Sequence, residues 1–140
     1  MNIRARVQNS YGEHQATVTT NGTNQSIVIP PKASGFGSSA NGGELLFLAL
    51  ATCNCNDLYR EAAKRGIKVE QVEVEVEGQF GAAGEPAMGV AYRAKVTAHA
   101  SDAEIRDLMR QTDALAEIQN TVRVATPVTL DQIEVVAVQP

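Results

Sequence analysis

The chain has 140 residues, with 16 acidic side chains against 12 basic ones and a formal net charge of −4. That length suits one compact domain over residues 1–140, and the acidic balance with no basic run excludes nucleic acid as a partner. The longest apolar run, Leu45 to Ala51, is far too short to cross a bilayer, and MNIRARVQNS lacks the apolar core of a signal peptide, so a cytoplasmic protein with no membrane partner is expected.

In chain order, Ile3, Ala5 and Val7 alternate with Arg4, Arg6 and Gln8, and after a Ser-Tyr-Gly-Glu turn Ala16 and Val18 do the same. NGTN and then SIVIP complete what period-two patterning predicts to be a small antiparallel meander ended by Pro30 and Pro31. The Gly/Ser-rich stretch from Lys32 to Gly43 is a loop. It leads into a long helix with Ser39 or Asn41 as N-cap and Gly66 as its stop, after Lys64 and Arg65. The first half of that helix is apolar on every face, so it must be buried on every face. A domain of this size cannot surround it alone, so a sheet is expected on one side and a second copy of the chain on the other. KVEQVEVEVEG places Val72, Val74 and Val76 opposite Glu73, Glu75 and Glu77, and MGVAYRAKVTAHA places Tyr92, Ala94 and Val96 opposite Arg93 and Lys95. These read as paired strands whose charged rows face solvent. SDAE at Ser101–Glu104 is a capping box before Ile105, Leu108, Met109, Thr112 and Leu115 at helical spacing. AEIQNTVRVATPV continues or restarts that helix, and VTLDQIEVVAV is expected as a closing strand. Runs of strands separated by helices, without strict alternation, make the class α+β.

Both cysteines, Cys53 and Cys55, lie in the long helix. Two residues apart, they point roughly 200° from each other, which rules out a disulfide between them without unwinding and argues against a shared metal ion. No metal and no cofactor is expected. A thiol in mid-helix gains little from the helix dipole, so activating it requires a cation from elsewhere, with His14, Arg4, Arg6 and Arg123 as candidates. The alternative is that both are small buried apolar side chains.

The stretch from ANGGELLFLALATC through KRGIKVEQVEVEVEG, with strands before it and SDAEIRDLM, IQNTV and TPV after it, resembles the OsmC/Ohr superfamily of osmotically induced and organic-hydroperoxide-resistance proteins, on the side of its less characterised OsmC-like subgroup. Its specific part is the E-L-L run leading to small-small-Cys at Cys53, then K-R-G. The resemblance implies antiparallel sheets packed on a long buried central helix in an intertwined homodimer. It also implies that Cys53 attacks a hydroperoxide as a thiolate and becomes a sulfenic acid. The second cysteine of peroxidase members falls at Ala116, their glutamate at Gly43 beside Glu44, and their arginine near His14, which could supply a positive charge or be an exposed turn residue. Cys53, Cys55, His14 and Glu44 are therefore the candidate site residues. With no cysteine at Ala116, an external thiol would restore Cys53, or Cys55 could meet a cysteine of the second subunit. The expected activity is thiol-dependent reduction of organic or hydrogen peroxide. The alternative is a non-catalytic protein of the same fold that binds an apolar small molecule or acts as a redox-sensing, stress-associated binding protein.

Overall fold

The computed structural model describes residues 1–138 and runs β1 (Ile3–Ser10), β2 (Glu13–Thr20), β3 (Thr23–Ile27), α1 (Gly42–Lys64), β4 (Lys68–Gln79), β5 (Met88–His99), α2 (Asp102–Leu115) and α3 (Glu117–Arg123). The α+β class is as the patterning predicts. The strands form two separate sheets, β1-β2-β3 and β4-β5. Two compact units result: Met1–Leu48 with Gly78–Gly89, and Ala49–Glu77 with the chain from Val90.

In the first unit the meander is antiparallel throughout, with Ala5 opposite Val18, Val7 opposite Ala16, and Ala16 opposite Ile27. Asn21 and Gly22, with φ of 47° and 86°, form the β2–β3 turn, the left-handed pair that matches strand twist. The Gly/Ser-rich loop is tied down rather than loose. Asn9 receives the Gly37 N–H at 2.9 Å and donates to its carbonyl at 3.2 Å, Gly12 N donates to Gly35 O at 3.1 Å, and Phe36 packs edge-on to Tyr11 at 5.4 Å. Asn41, not Ser39, begins α1: its side chain accepts the Glu44 N–H at 2.9 Å while Glu44 accepts the Asn41 N–H at 2.8 Å.

In the second unit Leu58, Ala62 and Leu108 form the buried centre, with Ile67, Val69, Val72, Ala94, Val96 and Met109 packed around it. Arg93 reaches Glu75 at 3.1 Å and Glu77 at 2.9 Å across β4 and β5, the charged row expected on the open face. Ser101 caps α2 with a complete capping box. The following segment restarts as α3 after a break at Ala116, whose ψ of 104° is extended rather than helical. Arg65 at the end of α1 pairs with Asp107 of α2 at 2.9 Å.

One expectation is corrected. VTLDQIEVVAV forms no strand: residues 126–138 carry no regular structure, with Val128 95% and Val136 91% exposed. Alternation marks a strand only where the segment is hydrogen-bonded to another strand, and this one pairs with none of the described strands. In the apolar half of α1, Leu45, Leu46 and Leu48 are exposed in the single chain, Leu48 to 61%, which is the side of the helix that the sequence reading leaves to a second copy.

Candidate functional site

Cys53 lies on the half of α1 that belongs to the second unit, and helix geometry decides what surrounds it. Asp57, one turn further on, shares its face, and the thiol donates to Asp57 Oδ2 at 3.5 Å. Asp57 is only 4% exposed. Its other oxygen pairs with Arg60 at 2.8 Å, and Arg60 reaches Glu61 at 2.9 Å and Glu117 at 3.9 Å. The start of α3 adjoins the group, with the Ile118 backbone and the Glu117 carboxylate near the sulfur.

Charge at this sulfur is therefore negative, not positive. Burial raises the Cys53 thiol above its ordinary range, and the Asp57 and Glu117 carboxylates raise it further against the opposing effect of the Ile118 backbone. Burial likewise raises Asp57, with Arg60 holding it down and Glu117 pushing it up. Cys53 is half-buried, neither sealed in aliphatic packing nor beside a free cation. The Sγ and one oxygen each of Asp57 and Glu117 lie within 4.8 Å of one another, a spacing three metal ligands could adopt. Arg60 already stands at both carboxylates, so a metal ion would meet a fixed positive charge there.

The other candidates are not members of this cluster. Cys55 is half-buried and is not among its ligand-bearing groups. Glu44 is engaged in the α1 capping box, and His14 lies in the first unit, opposite Asn9, with its Nδ1 3.2 Å from the Asn9 amide. Gly43 is packed by the Phe80 ring, which would lie 2.7 Å from a Cβ at that position; no side chain fits there without moving Phe80. Ala116 is fully buried, one residue before Glu117. Of the proposed cations, Arg123 is instead bound to Asp113 at 2.6 Å, and Asp113 also accepts the Tyr92 hydroxyl. Asp57, Arg60 and Glu117 are the residues the sequence reading missed. The first two were open to it, one and two turns along the helix from Cys53. Glu117 was not, because only the fold brings α3 to α1.

Comparison with known proteins agrees with this architecture. The family model for OsmC-like proteins matches residues 35–131. Among solved structures, an OsmC-like protein from Mycoplasma pneumoniae superposes with a TM-score of 0.59 at 18% identity, covering 88% of this chain and 89% of its own. An organic hydroperoxide resistance protein OsmC from Legionella pneumophila gives 0.59 at 18%, covering 88% and 90%. An OsmC-like protein of unknown function from Vibrio cholerae gives 0.55 at 13%, covering 84% and 92%. Curated proteins gave no match. At these identities the structures speak for the fold alone, and with the family match over most of the sequence they establish that this chain belongs to the OsmC-like protein family.

Proposed function

We propose that this chain reduces organic or hydrogen peroxide with the Cys53 thiol and that an external small thiol restores it. The observation that carries the reading is a half-open sulfur hydrogen-bonded to the Asp57 carboxylate, at the position where the start of α3 meets α1. Sulfur attacks one peroxide oxygen, an S–O bond forms as the O–O bond breaks, and the thiol proton leaves with the departing alkoxide, giving a sulfenic acid and an alcohol. A first external thiol then displaces water to form a mixed disulfide, and a second attacks the external sulfur of that bond, returning Cys53 as the thiol and leaving the two external thiols joined as a disulfide. The fully buried Ala116 supplies no internal thiol for that step. The family name of the Legionella pneumophila relative points the same way.

A second reading, a fold kept for binding without turnover, is favoured by the carboxylates that hold the thiol protonated. One experiment separates the two. Reduced protein is mixed in single turnover with cumene hydroperoxide or hydrogen peroxide and followed by intact mass. Rapid addition of one oxygen, lost in Cys53→Ser and kept in Cys55→Ser, supports peroxide reduction. Oxidation no faster than that of a free thiol removes it.

The reading includes a homodimer, supported by the apolar side chains that one chain leaves open on α1, on β1 and along residues 128–138. A cytoplasmic site of action is consistent with the two free cysteines. No helix among the described residues is long and apolar enough to cross a membrane.

A further inference from the structure

We infer that a groove in the second unit, separate from Cys53, binds a small organic carboxylate with an apolar body and a hydrogen-bond donor beside the acid group. The groove has a volume of about 440 Å³, within the range of small-molecule sites, and is lined by Asn54 and Leu58 of α1, Tyr92 and Ala94 of β5, and Met109, Arg110 and Asp113 of α2.

Asn54 is 2% exposed, yet its Oδ1 has no hydrogen-bond partner. A buried carboxamide oxygen left unpaired costs about 1–3 kcal/mol, and a leucine would fill the same space without that cost. Asn54 therefore marks a place where a donor from outside the chain completes the fold. Arg110 gives the second observation. Arg60, Arg65, Arg106 and Arg123 in and beside the three helices are all ion-paired, whereas Arg110 has no carboxylate partner among the described residues. The acid that shares its groove, Asp113, is already engaged by Arg123 and the Tyr92 hydroxyl. A guanidinium with no internal partner suits a planar carboxylate, which it can hold through two parallel hydrogen bonds. Leu58, Ala94 and Met109 supply the apolar surface between the two polar ends. With Asp113 in the wall, a monoanion is favoured over a phosphate, whose second charge would meet that carboxylate.

Binding is measured on the full chain with 2-hydroxyoctanoate, by calorimetry and by amide and side-chain chemical shifts. Octanoate, which lacks the donor, and 2-octanol, which lacks the charge, serve as comparisons. Saturable binding of 2-hydroxyoctanoate is expected, with shifts at the Asn54 side chain, Ala94 and Met109. Arg110→Ala, at an exposed position, should weaken it at least tenfold. Asn54→Leu should remove the preference for 2-hydroxyoctanoate over octanoate while leaving the chain folded. Cys53→Ser should bind as the parent does, so failure of the peroxide reading leaves this one standing. No saturable binding, or binding indifferent to both groove substitutions, overturns the proposal. So does an Asn54 signal that responds to protein dilution instead of ligand, which would make the groove a contact between copies.

Discussion

Cys53 shows how one side chain's chemistry is set by its neighbours. Its thiol is raised by burial first and by Asp57 and Glu117 next, so the reactive thiolate is scarcer at neutral pH than in a free thiol. The sign follows: alkylation of Cys53 by iodoacetamide should keep climbing as pH rises past the ordinary thiol value of about 8.5, with no plateau near neutrality. Asp57→Asn removes one of the charges and should move that profile to lower pH, read by mass spectrometry of the Cys53 peptide. At Asp113, burial pushes the carboxyl up, but the hydrogen bonds from Tyr92 and Arg123 more than offset it and leave the group below its ordinary value. A depressed carboxyl contributes stability above its unfolded pKa of about 3.9 and loses it as pH falls through the lower folded value. Asp113→Asn should therefore lower stability near pH 7, with the loss shrinking as pH falls below about 4, so that the acid limb of a stability-against-pH curve flattens.

At the scale of elements, local signals carried furthest where the chain solves its own hydrogen bonding. The SDAE box forms as read, with Ser101 Oγ accepting the Glu104 N–H at 3.3 Å and Glu104 accepting the Ser101 N–H at 2.9 Å. Ser101→Ala should cost about 1 kcal/mol in chemical denaturation. Gly43 is a different case, because its reason is tertiary. Phe80 stacks on Phe47 at 5.7 Å and occupies the space a side chain at Gly43 would need. Gly43→Ala, which in an open helix would stabilise by about 1 kcal/mol, should instead destabilise, and Phe80→Ala should restore the usual sign. Neither the Phe47–Phe80 pair nor its pressure on Gly43 is visible in the sequence, where the two aromatics stand far apart. The closing strand failed for a related reason, since VTLDQIEVVAV has the pattern but pairs with none of the described strands.

For the molecule as a whole, what one chain leaves uncovered is the informative feature. Leu45, Leu46 and Leu48 of α1, Ile3 and Val7 of β1, and Leu130, Ile133 and Val135 beyond α3 are all exposed. Burying a leucine or valine contributes about 1.5–3 kcal/mol, so covering several of them favours association strongly. Light scattering at micromolar concentration should give twice the mass of one chain. Leu48→Glu, which sets a charge at a position 61% exposed in the single chain, should shift that mass toward the monomer without unfolding it. A chain that stays monomeric at high micromolar concentration would contradict the dimer.

By itself the sequence determined what depends on neighbours along the chain: the periodicity of the strands, the glycine and asparagine turns, the caps of α1 and α2, and the place of Cys53 on a long helix. These follow from backbone geometry repeated every two or 3.6 residues, which is written in the order of side chains. It also carried enough of the E-L-L to Cys53 pattern to place the family. Only the tertiary structure decided which charges face the sulfur. Glu117 and Ile118 meet Cys53 because α3 is carried back across more than sixty residues to α1, and a sum of long-range charge and burial at one atom has no signature in local spacing.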